Sequence, residues 1–159
     1  MKIYKAPQMI HEGCWPSVFL AGSIEMGKAE DWQTKVTNAL SDLPVTIFNP
    51  RRDDWDSSWE QKKENAQFRE QVEWELSALE RATIIVMYFD PSTMSPISLL
   101  ELGLHAEATS SAFIRSKLIV CCPEGFWRKG NVDIVCERYG IRQVDNVEAL
   151  INAVRKELE

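Results

Sequence analysis

Ser95-Pro96-Ile97-Ser98-Leu99-Leu100-Glu101-Leu102-Gly103 is the stretch on which the fold of this chain turns. Pro96 suits the first helical turn, where a missing N–H costs nothing, and Ser95 before it suits the N-cap. A helix is therefore expected over residues 96–110. The apolar run just upstream, Ile84-Ile85-Val86-Met87, is strand-sized, and a polar link of residues 90–95 joins the two. A strand feeding a helix through a short polar loop is the repeating step of an α/β protein.

The same step recurs on both sides. Val18-Phe19-Leu20-Ala21 reads as a buried strand stopped by Gly22-Ser23, followed by a helix over 29–43 with Trp32, Val36 and Leu40 on one face. Val45-Thr46-Ile47-Phe48 is a second strand, closed by Asn49-Pro50. Residues 51–60 form a polar loop holding Trp55 and Trp59, and 61–81 a long helix carrying Phe68, Val72, Leu76 and Leu79. The third strand spans 83–89, the fourth 117–122 and a short fifth 141–144, with helices over 131–138 and 147–158. Apolar strand runs without strict alternation imply burial on both faces. The expectation is one α/β domain over residues 1–159: a doubly wound, flavodoxin-like, five-stranded parallel sheet with right-handed crossovers.

Composition limits what such a domain does. The chain has 159 residues, 45% of them hydrophobic and 26% charged, and a net charge of −6. A protein that holds a nucleic-acid polymer shows a basic face, because phosphate neutralisation dominates that affinity. No basic block exceeds two residues, so the expected partner is a small molecule. No run is long enough for a membrane span, and the amino terminus lacks a signal-like apolar region, so a cytoplasmic protein is expected. The cysteines, Cys14, Cys121, Cys122 and Cys136, form no C-x-x-C pair, and a metal site is not expected. Gly22-Ser23 is no dinucleotide fingerprint, since no G-x-G-x-x-G follows.

In open α/β sheets ligands bind beyond the carboxyl ends of the strands. The residues there include Gly22-Ser23, Asn49-Pro50-Arg51, residues 90–95 and residues 123–131, and the distinctive polar chemistry falls among them. Glu101 sits in the second turn of its helix, flanked by leucines. Ser98 could instead be the cap, with Glu101 as the reciprocal capping-box glutamate. In the earlier register the helix terminus should hold the Glu101 carboxylate ionised, as a nucleophile requires. Asp90 is either a turn starter or a carboxylate assisting proton movement. Glu75 is either an acid of the site or a solvated helix edge paired with Arg81. Asn131 is either a ligand contact or a helix N-cap. Trp55, Trp59 and Trp127 suit a nucleobase platform or a subunit interface, whereas Trp32 and Trp74 suit the core.

Val18-Phe19-Leu20-Ala21-Gly22-Ser23-Ile24, Asn49-Pro50-Arg51-Arg52 and the Glu101 block together resemble the nucleoside 2-deoxyribosyltransferase superfamily. The nearer likeness is to its Ser-Pro-Ile-Ser-Leu-Leu-Glu-Leu-Gly branch. The resemblance implies that Glu101 displaces a nucleobase to form a deoxyribosyl ester, which a second base or water then releases, with no cofactor. Asp90 and Glu75 would be the acids around it. Gly22, Ser23, Asn49, Arg51, Trp55, Ser95 and Asn131 would meet the substrate, Asn131 from a neighbouring copy in a homo-oligomer. An acidic residue that holds the sugar 5′-hydroxyl usually stands six positions before the nucleophile. Here Ser95 stands there, as in related N-glycosidases of nucleoside 5′-monophosphates. Transfer between bases, hydrolysis of deoxynucleosides or their monophosphates, and non-catalytic nucleotide sensing all remain readings of this sequence.

Overall fold

The computed structural model describes residues 1–24, 29–106 and 117–159. Six strands form one parallel sheet: β1 (Lys2–Lys5), β2 (Ser17–Gly22), β3 (Thr46–Asn49), β4 (Ile84–Tyr88), β5 (Leu118–Cys121) and β6 (Arg142–Val144), in the order β1-β3-β2-β4-β5-β6. Five helices are described between and after them: α1 (Trp32–Ala39), α2 (Ala66–Arg81), α3 (Pro96–Ala106), α4 (Lys129–Tyr139) and α5 (Val147–Leu158). The five anticipated strands hold the flavodoxin-like order. The sixth, β1, pairs in parallel with β3 at the edge. Its sequence, Lys-Ile-Tyr-Lys, buries no residue fully, so it lacked the apolar run that marks the other strands. The expected helix over 96–110 begins where anticipated, and its last four residues lie outside the described ones.

Successive strand residues point to opposite faces, which sorts the core into two layers. Val18, Leu20, Ile47, Val86 and Cys121 face α1 and α5. Phe19, Phe48, Ile85, Met87 and Cys122 face α2, α3 and α4. An eight-residue helix such as α1 would not persist alone in water. Trp32, Val36 and Leu40 are fully buried, and that burial, on the order of 2 kcal/mol each, holds it on the sheet. Asp31 caps it through the Thr34 N–H, so it starts three residues later than its apolar pattern suggested.

α2 turns inward a different face from the one its apolar spacing suggests. Its buried residues are Gln71, Trp74, Ala78 and Leu79, while Leu76 is exposed and Phe68 and Val72 only half-buried. Trp74 decides the rotation: its indole packs at 6.4 Å from the Phe19 ring and donates to the Gln8 carbonyl. With Trp74 inward, Gln71 is carried into the protein as well. Two polar side chains of α2, Gln71 and Glu75, thereby come to stand beside the sheet.

From β2 the chain crosses to β3 on one side, then returns past β2 to β4 on the other. The strand order reverses at β2, so the crevice of a doubly wound sheet lies beyond the ends of β2 and β4. Gly22 is at that reversal, with φ +129, a region other residues rarely enter. A Cβ there would stand 2.3 Å from the Tyr88 carbonyl oxygen, so β2 and β4 could not close at their ends with any side chain present.

Candidate active site

Beyond β2 and β4 three hydroxyls meet out of solvent. Ser23, Thr93 and Ser95 are all buried; Ser23 Oγ lies 2.5 Å from Ser95 Oγ and 2.9 Å from Thr93 Oγ1, which is 2.8 Å from Ser95 Oγ. The Asp90 N–H donates to Ser23 Oγ, and the Ser23 N–H to the Tyr88 carbonyl. Ser95 has φ +45, the left-handed region, and its carbonyl accepts the Leu99 N–H, the first turn of α3. Ser95 therefore occupies the N-cap position, though not with the extended backbone usual there. Ser98 lies inside the helix and is buried, so the capping-box register is excluded.

Asp90 is used by its own loop. Its Oδ1 accepts from the Ser92 N–H at 2.8 Å and the Ser92 hydroxyl at 2.6 Å, and its Oδ2 from the Glu30 N–H at 3.3 Å. These are turn-forming bonds, and they set the loop that delivers Thr93 and Ser95. Thr93 was not among the anticipated residues; a hydroxyl in a Ser-and-Thr-rich loop has no periodicity to betray it.

Glu101 is 8% exposed, and no hydrogen bond from a described residue reaches its carboxyl group. Burial pushes its pKa up to about 8, and the negative charge of Glu75 raises it further in the same direction. The expectation that the helix terminus would hold Glu101 ionised is thus overturned for the free protein. Glu101 lies beyond the first turn of α3, where the pull of a helix terminus fades, and desolvation wins. Glu75 is pushed up to about 7 by burial, opposed by a hydrogen bond from Gln71. It is not the solvated helix edge of the alternative reading, because Arg81 donates instead to the Ile10 carbonyl. Two acids on adjacent helices thus share a dry environment, and near neutral pH the pair holds at least one proton.

At the end of β3, Asn49 Oδ1 accepts the Arg51 N–H, an Asx turn that aims Arg51 over the sheet edge. Arg51 Nη2 donates to the oxygen of buried Gln33 at 3.2 Å, and its Nε lies 3.7 Å from Asp31. Trp55 packs edge-on against Trp59 at 5.3 Å, and Arg52 lies over Trp59 at 5.0 Å while pairing with Asp54 and Glu70. The loop after β3 is therefore anchored, with Trp55 half-buried in it.

Asn131 is not an N-cap, because α4 begins two residues earlier. It is exposed and lines a cavity of about 310 Å³ between α3 and α4, with Leu99, Leu102, Gly103, Arg128, Val132 and Val135. Glu101 is not in that lining. The structure thus unites Gly22, Ser23, Asp90 and Ser95 in one cluster and Glu75 with Glu101 in a second. Asn49 and Arg51 lie at the same sheet edge, and Asn131 stands apart. Among the described residues no group of three His, Cys, Asp or Glu side chains could hold a metal ion. No described helix is long and apolar enough to cross a membrane.

A family model described as nucleoside 2-deoxyribosyltransferase like matches residues 15–126. That span runs from just before β2 to the loop after β5 and contains every cluster described above except Asn131. No curated protein matches the chain. The match covers the greater part of the sequence, and the sheet reverses where that span begins: the chain belongs to the nucleoside 2-deoxyribosyltransferase-like family.

Proposed function

We propose that the protein transfers a 2-deoxyribosyl group between nucleobases through an ester on Glu101. The observation that carries this reading is a buried carboxyl with no hydrogen-bond partner among the described residues, beside a second, half-buried acid, within the span that the family model matches. Such a group is costly to bury and serves little in packing. Glu101 oxygen attacks C1′ of the deoxynucleoside, and the C1′–N bond breaks. Its electron pair goes to the base nitrogen, which takes up the proton held by the Glu75–Glu101 pair. A second base then attacks C1′ through its nitrogen, the Glu101–C1′ bond breaks, and the incoming base returns its proton to the pair. The active form is the pair with one proton, since two leave no nucleophile and none leaves no acid. Asp90, held in its turn, organises the loop of Thr93 and Ser95 and is the third acid of the site. Gly22, Ser23, Asn49, Arg51 and Trp55 surround the substrate.

Hydrolysis of a nucleoside 5′-monophosphate is the second reading, and the Ser23–Thr93–Ser95 hydroxyls favour it. A neutral donor cluster at a helix amino terminus accommodates a phosphate better than a carboxylate would. The third reading, a nucleotide sensor, leaves the cost of the carboxyl pair unexplained. Copies of the chain pair through α3, whose Ile97, Leu100 and Leu104 are more than half exposed, and Asn131 then serves a neighbour's site.

The deciding experiment incubates the protein with each deoxynucleoside, or its monophosphate, with and without a free base, and follows products by chromatography. Intact-mass spectrometry without acceptor should show a deoxyribosyl adduct that Glu101→Gln abolishes, with activity falling on the order of a thousandfold or more. Free base that diverts deoxyribose into a new nucleoside supports transfer. Unchanged release of free sugar supports hydrolysis, and near wild-type turnover by Glu101→Gln sinks both.

A further inference from the structure

Gln71 belongs to no recognised motif, yet it is 5% exposed and its amide nitrogen makes two bonds. One runs to the Pro50 carbonyl at 2.9 Å, the other to Glu75 Oε1 at 2.7 Å, one turn further along α2. A carbonyl can only accept, so the amide nitrogen and not its oxygen must face Pro50. Flipping the amide would set two oxygens against each other, and the remaining N–H is thereby committed to Glu75. An oxygen already accepting an N–H is the poorer seat for a proton, so a proton on Glu75 resides on Oε2. The bond is stronger when Glu75 is ionised, because it becomes charge-assisted. Glu101 has no such donor among the described residues.

The other charges around Glu75 are engaged elsewhere. On the loop after β3, Arg51 turns to Gln33 and Asp31, and Arg52 to Asp54 and Glu70. On the loop after β4, Asp90 is held by Ser92 and the Glu30 N–H. From α3, Glu101 is the charge that interacts with Glu75.

We propose that Gln71, locked by the Pro50 carbonyl, is a positioning residue that fixes the Glu75 carboxyl and keeps the proton Glu75 delivers on Oε2. The proposal rests on the reading of Glu75 and Glu101 as the acid–base pair of the reaction. It ties the loop after β3 to the proton inventory of the site, because Pro50 orients the amide that orients the acid.

The test is a ¹³C NMR titration of the glutamate carboxyls in the free protein, assigned with Glu75→Gln and Glu101→Gln. Gln71→Met keeps the length of the side chain and removes both donors. Glu75 should then bind its proton about three- to tenfold more tightly, one charge-assisted hydrogen bond being lost. The alkaline limb of the kcat/KM profile, where Glu75 loses the proton it must deliver, should move to higher pH with it, so that the ratio of activity at pH 9 to activity at pH 6 rises roughly three- to tenfold. Should Gln71→Met fail to fold, Gln71→Asn keeps an amide one methylene too short to span both partners, and the same upward shift is expected. An unmoved Glu75 titration, or activity lowered equally at every pH, overturns the proposal. The titration needs no substrate, so a wild-type protein inert toward every deoxynucleoside would sink the functional reading and leave the Gln71 result standing.

Discussion

The charge on Glu75 tightens the hold of Glu101 on its proton, so two acids from neighbouring helices titrate as a pair in a dry site. Both carboxyls have folded pKa values, about 7 and about 8, above those of an exposed glutamate. Between roughly pH 4.5 and 8 the folded protein therefore binds more protons than the unfolded chain, and stability falls as pH rises through that window. Above it the loss is complete. Glu101→Gln removes one ionisation and should stabilise the protein at pH 8.5 relative to pH 5.5, by on the order of 2 kcal/mol. Urea unfolding of both proteins at both pH values measures it. An equal effect at the two pH values would show that Glu101 is not buried as a proton-binding group.

Gly22 tests the junction of β2 with β4. An alanine there meets two obstacles at once, a φ of +129 and the Tyr88 backbone at 2.3 Å. The obstructing atoms belong to the neighbouring strand, so no side chain can swing aside. Gly22→Ala should cost on the order of 3 kcal/mol or more, read as a fall in the thermal midpoint or as loss of soluble protein. A variant within about 0.5 kcal/mol of wild type would show that the strand ends separate freely.

The core strands and the start of α3 could be read in the sequence because both carry local signals: apolar runs of strand length, and Ser-Pro before a leucine-rich helix. Edge strand β1 carries none, since its partner β3 supplies order that its own residues do not announce. The face of α2 was misread because Phe68, Val72, Leu76 and Leu79 fit helical spacing as well as Trp74, Ala78 and Leu79 do. Contact with Phe19, far away in sequence, chose between them. The site shows the same division. Glu101 stands in a block that can be recognised, whereas its charge state depends on burial and on Glu75, neither of which local sequence contains. Gln71 and Thr93 act through partners 21 and 70 residues away, Pro50 and Ser23.

The apolar face of α3 tests assembly. Ile97, Leu100 and Leu104 are 60%, 61% and 55% exposed, and the spacing i, i+3, i+7 sets them in one stripe. Leu100→Glu places a charge in the middle of that stripe while leaving the buried side, with Glu101 and Leu102, untouched. Light scattering should show wild type as an oligomer and the variant at the mass of a single chain. Activity should fall with the oligomer if Asn131 serves a neighbouring site. A monomeric wild type, or an oligomer indifferent to Leu100→Glu, would rule out this face as the interface.

Ser95 tests what the site accepts at the 5′ end of its substrate. Its hydroxyl lies among those of Ser23 and Thr93 at the amino terminus of α3, where a phosphate would find neutral donors and a carboxylate would repel it. Aspartate tolerates the left-handed backbone that Ser95 adopts better than most residues, so Ser95→Asp changes charge with modest backbone cost. The variant should lose kcat/KM for a monophosphate more than for the matching nucleoside, by about 1–3 kcal/mol, roughly five- to 150-fold. General damage to the hydroxyl cluster lowers both activities and cancels in the ratio of ratios. Arg51 is poorly placed to hide the effect, because its guanidinium is already turned toward Gln33 and Asp31. Measuring two substrates on two proteins therefore isolates the 5′ group. If both activities fall equally, Ser95 acts only as the cap of the helix that carries Glu101, and the phosphate reading of the hydroxyl cluster is lost.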